Sequence, residues 1–126
     1  MVVTLWLRRN SDPSLPASHT IEIKFNLPPN FPGNGIAKVP GFLTKDSEQS
    51  RGNPLVGLTV KVSDGFFMTG LSAVVPDRQR NLQLLKDQGW FDIPIYYSSG
   101  ERAILAVQKG QTGVRAFTDA FAAWGQ

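Results

Sequence analysis

A chain of 126 residues, 41% hydrophobic and 18% charged, has the composition of one globular domain, long enough to bury about two-thirds of its unfolded surface. It contains no cysteine, which excludes disulfides, thiolate nucleophiles, iron–sulfur clusters and cysteine-based zinc sites. The net charge of +3 comes from basic residues scattered among acids and apolar strands, so no run marks a tail for nucleic acid or a membrane surface.

Twelve glycines and nine prolines favour turns over long helices, and the chain reads accordingly as strand-rich. Residues 2–8 form a first strand, with Val3, Leu5 and Leu7 opposed by Val2, Thr4 and Trp6. No charged and apolar leader of signal length precedes it, so no membrane insertion by this segment is expected, and the abrupt start suits a module excised from a longer parent. Residues 19–25 (HTIEIKF) alternate cleanly, with His19, Ile21, Ile23 and Phe25 on one face. The proline- and glycine-rich residues 27–35 cannot sustain a ladder and are expected to cross over irregularly with Phe31 tucked inward.

A short strand is expected over residues 36–39, and residues 44–53 (TKDSEQSRGN) form the most polar stretch, expected as a long exposed loop. Residues 55–62 and 66–71 flank Ser63-Asp64-Gly65, an Asp-Gly hairpin signal. Pro76 opens a helix over residues 77–86 that Gly89 stops, with Leu82 and Leu85 on one side and Arg78, Arg80, Lys86 and Asp87 outward. The last third carries the strongest pattern. WFDIPIYY and RAILAVQK flank the turn Ser98-Ser99-Gly100-Glu101, and Thr112 then caps a helix whose Phe117, Ala120, Phe121 and Trp124 make one apolar stripe ending at Gly125.

Few residues point to chemistry. His19 is the only histidine and no second ligand-type residue is paired with it locally, so a structural role is expected. Gly70-Leu71-Ser72-Ala73-Val74 starts like a nucleophile elbow, but lacks its closing glycine, and the histidine precedes the serine. Asp46, Glu48, Asp64, Asp92 and Glu101 offer no local sign of a tuned carboxylate pair. The adjacent aromatics Phe66-Phe67, Trp90-Phe91 and Tyr96-Tyr97 place one ring of each pair on either strand face, which burial on both faces, against sheet and helix, explains; a ring left exposed would suit a protein partner.

The blocks SLPASHTIEIKFNLPPNF, GIAKVPGFLTKDSEQSRGNPLVGLTVKVSDGFFMTGLS and RNLQLLKDQGWFDIPIYYSSGERAILAVQKGQTGVRAFTDAFAAW resemble a C-terminal domain of uncharacterised alphaproteobacterial proteins. That resemblance covers nearly the whole chain and implies a module following a membrane-associated or low-complexity region. It brings no activity or site residues. The order of NLQLLKDQG, the hairpin and GVRAFTDAFAAW is also similar to that of the invasion-associated locus B proteins, β-rich envelope modules that usually carry a cysteine pair and a signal peptide, both missing here.

The expectation is therefore a single mainly β domain, a β-sandwich or partly open β-barrel of about six to eight strands with a mid-chain helix and a C-terminal amphipathic helix packed on the sheet. Its expected function is non-catalytic: a binding or protein-interaction module of a cell-envelope-associated bacterial protein, with Arg51, Tyr97 and Arg102 facing a protein partner or small ligand, and with no cofactor or metal. The alternatives are a small hydrolase using Ser72 or an acidic pair and, third, a nucleic-acid-binding module, which the missing basic groove disfavours.

Overall fold

A computed structural model of the chain describes residues 2–31 and 35–126. Its elements in chain order are β1 (Val2–Arg9), β2 (Ala17–Asn26), β3 (Ile36–Lys38), β4 (Leu43–Lys45), β5 (Asn53–Pro54), β6 (Gly57–Ser63), β7 (Phe66–Ser72), α1 (Val75–Asp87), β8 (Trp90–Tyr97), β9 (Arg102–Gln108) and α2 (Gly110–Trp124). Sheet A runs β1-β2-β7-β6, entirely antiparallel. Sheet B is built on β8, with β9 along one edge and with β4 and β3 end to end along the other, β5 lying outside β4. The fold is a sandwich-like pair of sheets without a closed barrel. The strands exceed the expected number because β4 and β5 are fragments of three and two residues, too short to leave a periodic signal, whereas the short strand expected over residues 36–39 forms as β3.

Period-two alternation carries the core. Ile21, Ile23 and Phe25 of β2, Phe67 and Leu71 of β7, and Phe91, Ile93 and Ile95 of β8 are all buried in one cluster. The expected hairpin of β8 and β9 forms in the register Trp90 opposite Gln108 to Tyr96 opposite Arg102. In the crossover, Phe31 is half-buried with its ring 5.7 Å from that of Tyr97, while residues 32–34 lie outside those described.

Helix α2 closes one end of the sandwich. Its stripe makes a run of ring contacts from Phe91 of sheet B to Phe117 (6.0 Å), Phe121 (6.4 Å), Trp124 (5.7 Å) and His19 of sheet A (5.4 Å). Gly125 ends the helix at φ +69, and the Gln126 amide donates to the Phe121 carbonyl in the usual left-handed stop. The expected Thr112 cap does not form, because the helix begins earlier, at Gly110. Gly110, at φ +67, turns the chain directly out of β9, and the Gly113 amide already bonds the Lys109 carbonyl, so the first turn is made before Thr112 can cap it.

The polar stretch over residues 44–53 also departs from expectation. Thr44 and Lys45 belong to β4 and are buried, and the loop that follows folds over the outer face of β8 rather than standing free. Lys45 Nζ lies 2.7 Å from Asp92 Oδ1 and donates to the Glu48 carbonyl. Gln88 fastens the same loop, donating to Asp46 and accepting from Asn53. Gly52 is needed there because a Cβ would stand 2.9 Å from Leu43 Cδ2.

His19 is 1% exposed and plays the structural part expected of it. One ring nitrogen shares a hydrogen bond with Ser18 Oγ (3.0 Å) and the other with Gln126 Oε1 (2.8 Å), tying the end of α2 to β2. Burial, helped by Arg78 and Arg9 and opposed by the Gln126 bond, holds its pKa below the ordinary 6.5. Below pH 6.5 the unfolded chain therefore takes up a proton that the folded one resists, and stability falls as pH falls through that window. Urea unfolding at about pH 7 and about pH 5 is expected to show a larger loss in the wild type than in His19→Gln. Equal losses would mean that the imidazole does not titrate in that window.

Candidate functional site

Two lysines and the apolar stripe of α2 create the most distinctive chemical feature of the surface. Lys109 precedes Gly110 at the start of α2, and its chain lies across the Phe117 ring with Nζ 4.4 Å from the centroid and 5.9 Å from that of Phe91. The ammonium donates to the carbonyl of Leu85, one of the carbonyls that the last turn of α1 leaves without a helical partner. Lys86, also in that last turn, holds its Nζ 5.4 Å from the centroid of Phe121.

Between them lies a half-open cleft of about 360 Å³ lined by Lys86, Lys109, Val114, Phe117, Thr118 and Phe121, with Ala122 and Gln126 at one end. This volume lies in the range of small-molecule sites, and an apolar floor with a few convergent polar groups is their usual make-up. A broader depression of about 490 Å³ shares Val114 and is bordered by Trp90, Arg115 and Asp46. Its rim carries both signs of charge, whereas the titratable groups lining the helix cleft are both cations.

Burial pushes the Lys109 pKa down from 10.5 to about 8, against a weaker opposing pull from the Asp87 carboxylate. A desolvated ammonium disfavours its charge unless an anion or dipoles compensate. Here it has one carbonyl and an aromatic face, so it retains capacity for a further acceptor. The remaining polar groups are already engaged. Thr118 donates to the Val114 carbonyl and Gln126 Oε1 is bonded to His19.

The three residues expected to face a partner are not gathered in one place. Arg51 is exposed in the loop over the Trp90 end of β8, whereas Tyr97 and exposed Arg102 sit at the opposite end, about 17 Å along the strand from Asp92. Arg102 borders a separate depression of about 410 Å³ with Pro40, Pro94 and Tyr96. Ser72 donates to Asp77 Oδ2 at 2.8 Å and accepts from the Val74 amide, shaping the start of α1, while both His19 nitrogens bond elsewhere. Among the described residues no group of three His, Asp or Glu side chains is arranged to hold a metal, and no helix is long and apolar enough to cross a membrane.

Lys86 was expected among the outward-facing charges, and Lys109 was not singled out. One signal was available: a lysine at the N-terminus of a helix opposes the macrodipole, which favours anions there, and such a cation needs another reason for its place. Asn81 was missed as well. It is buried at 1% exposure and its amide both donates to and accepts from the Val56 backbone at 2.9 Å, docking α1 on the chain entering β6.

No protein-family model, curated protein or solved structure matches the chain.

Proposed function

We propose that the chain is a non-catalytic binding module that takes a small amphipathic carboxylate, aromatic or medium-chain aliphatic, into the cleft between α1 and α2. The observation that carries this reading is the Lys109 ammonium, desolvated against Phe117 with Lys86 beside it at the mouth of an apolar cleft. The acid's hydrocarbon would lie on Phe117, Phe121 and Val114. Its carboxylate would supply the counter-charge that Lys109 lacks at close range, forming charge-assisted hydrogen bonds stronger than neutral ones. The Lys109 ammonium already donates to the Leu85 carbonyl, Thr118 to the Val114 carbonyl, and Gln126 Oε1 is bonded to His19, an arrangement of engaged groups that favours holding a ligand over transforming it. The Ser72 hydrolase reading is weaker because the hydroxyl faces Asp77 rather than an imidazole. The likeness to envelope modules supports placing the parent protein in the cell envelope.

The test is thermal unfolding with 2-naphthoate and decanoate, each beside its matching alcohol. A ligand at about one hundred times its Kd stabilises by about 2.7 kcal/mol. The acids are expected to raise Tm and the alcohols are not, and Lys109→Met should abolish the rise while Lys86→Gln reduces it. Acids and alcohols acting alike, or no shift up to the solubility limit of the acids, would contradict the reading.

A further inference from the structure

Among the described residues, strand β6 leaves the outer edge of sheet A without a neighbour, and it carries three exposed apolar side chains: Leu58 is 82% exposed, Val60 54% and Val62 54%. These three point to the outer face, where the paired β7 contributes Met68 opposite Val60 and Gly70 opposite Leu58. On the other face Thr59 is fixed by a 2.6 Å hydrogen bond between its hydroxyl and that of Thr69, so the orientation of the strand is not free to slip. The Ser72 amide donates to the Val56 carbonyl. By antiparallel alternation the backbone groups of Leu58 and Val60 therefore face β7, and those of Gly57, Thr59 and Lys61 face the open edge, up to the register shift between Lys61 and Ser63.

We propose that this edge pairs with β6 of a second copy of the chain, antiparallel and about a two-fold axis through Val60, joining two A sheets into one continuous sheet. This register suits the side chains. With Val60 opposite its own symmetry mate, Thr59 faces Lys61 within the regular part of the strand, so the edge's one charge meets a hydroxyl, and Leu58 lies against Val62 at the irregularity between Lys61 and Ser63, keeping apolar side chains together on the outer face. Moving the axis by one residue to Lys61 sets two ammonium groups opposite each other and puts Leu58 against Asp64, the partner of Lys61 in a 3.1 Å ion pair. The axis through Val60 also lets Thr59 of one copy and Lys61 of the other exchange both backbone hydrogen bonds. The other edge of sheet A, β1, is less suited. Its side chains are more covered, and Arg8 is committed to Glu22 at 3.3 Å.

The absence of cysteine makes the register directly testable. Val60 residues on the axis would form a non-hydrogen-bonded pair about 4.5 Å apart between Cα atoms, within disulfide reach, whereas Leu58 and its symmetry mate would be offset by about 13 Å. Sedimentation equilibrium of the wild type should give a dimer, and Val60→Lys, with an unchanged circular dichroism spectrum, a monomer. Mild oxidation should convert Val60→Cys to covalent dimer in high yield and Leu58→Cys hardly at all. A wild type that stays monomeric at every concentration overturns the proposal. So do equal cross-linking at both positions and growth beyond the dimer, the latter indicating head-to-tail pairing of β6 with β1.

Discussion

Lys45→Met is expected to cost about 3–5 kcal/mol of folding stability, the range for breaking a buried ion pair by removing one partner. The Lys45 side chain is 5% exposed and that of Asp92 16%, with Nζ and Oδ1 2.7 Å apart beneath the loop that follows β4. Methionine matches the apolar length of the lysine, so the penalty reports chiefly on the carboxylate left under the loop without its counter-charge. The loss of the Lys45 bond to the Glu48 carbonyl would add a loosening of residues 46–52. Restoring neutrality with Asp92→Leu in the same chain should recover most of the loss, since apolar replacement of a whole buried pair is often neutral or better. Urea unfolding of the wild type, the single variant and the double variant checks this. A single-variant loss below about 1 kcal/mol would mean that the pair behaves like an exposed one.

The second large effect concerns Lys109. Its folded pKa of about 8 lies below the 10.5 of the free side chain, so between those values the unfolded chain holds more protons than the folded one. Stability consequently rises with pH across that window, because charged Lys109 is penalised by burial below it and neutral Lys109 is not penalised above it. Urea midpoints at about pH 7.5 and about pH 10 should show a Lys109 contribution that favours the wild type at the higher value and is missing from Lys109→Met. An identical change in the two proteins would place the amine in solvent and remove the electrostatic basis of the cleft.

The parts of this fold that local periodicity encodes were legible in the sequence. The β8–β9 hairpin, the buried face of β2 and the stripe of Phe117, Phe121 and Trp124 each announce themselves within a few residues, because burial on one face imposes a period on its own strand or helix. What remained hidden depends on residues far apart in the chain. Thr44 and Lys45 read as surface residues until β8, many positions later, pairs with β4 and brings Asp92 diagonally across to the lysine. Asn81 reads as a solvated helix residue until Val56 presents a backbone amide and carbonyl to it. The cleft is the extreme case. It forms where the end of α1 and the residue that follows β9 meet one face of α2 along its length, and its lysines carry no marker in sequence beyond one cation at the wrong end of a helix dipole.

The proposed role of Lys109 is to draw an amphipathic acid into the cleft, and its most direct measurement is the affinity for 2-naphthoate by isothermal titration calorimetry as a function of pH. Binding requires the ammonium form, so the Kd should be tightest near neutrality and weaken as pH rises above about 8, where Lys109 loses its proton. In Lys109→Met the affinity should be weak and flat over the same range. A Kd that does not change between about pH 7 and about pH 9.5, or the same pH dependence in the Lys109→Met protein, would contradict the claim that this lysine recognises the anion.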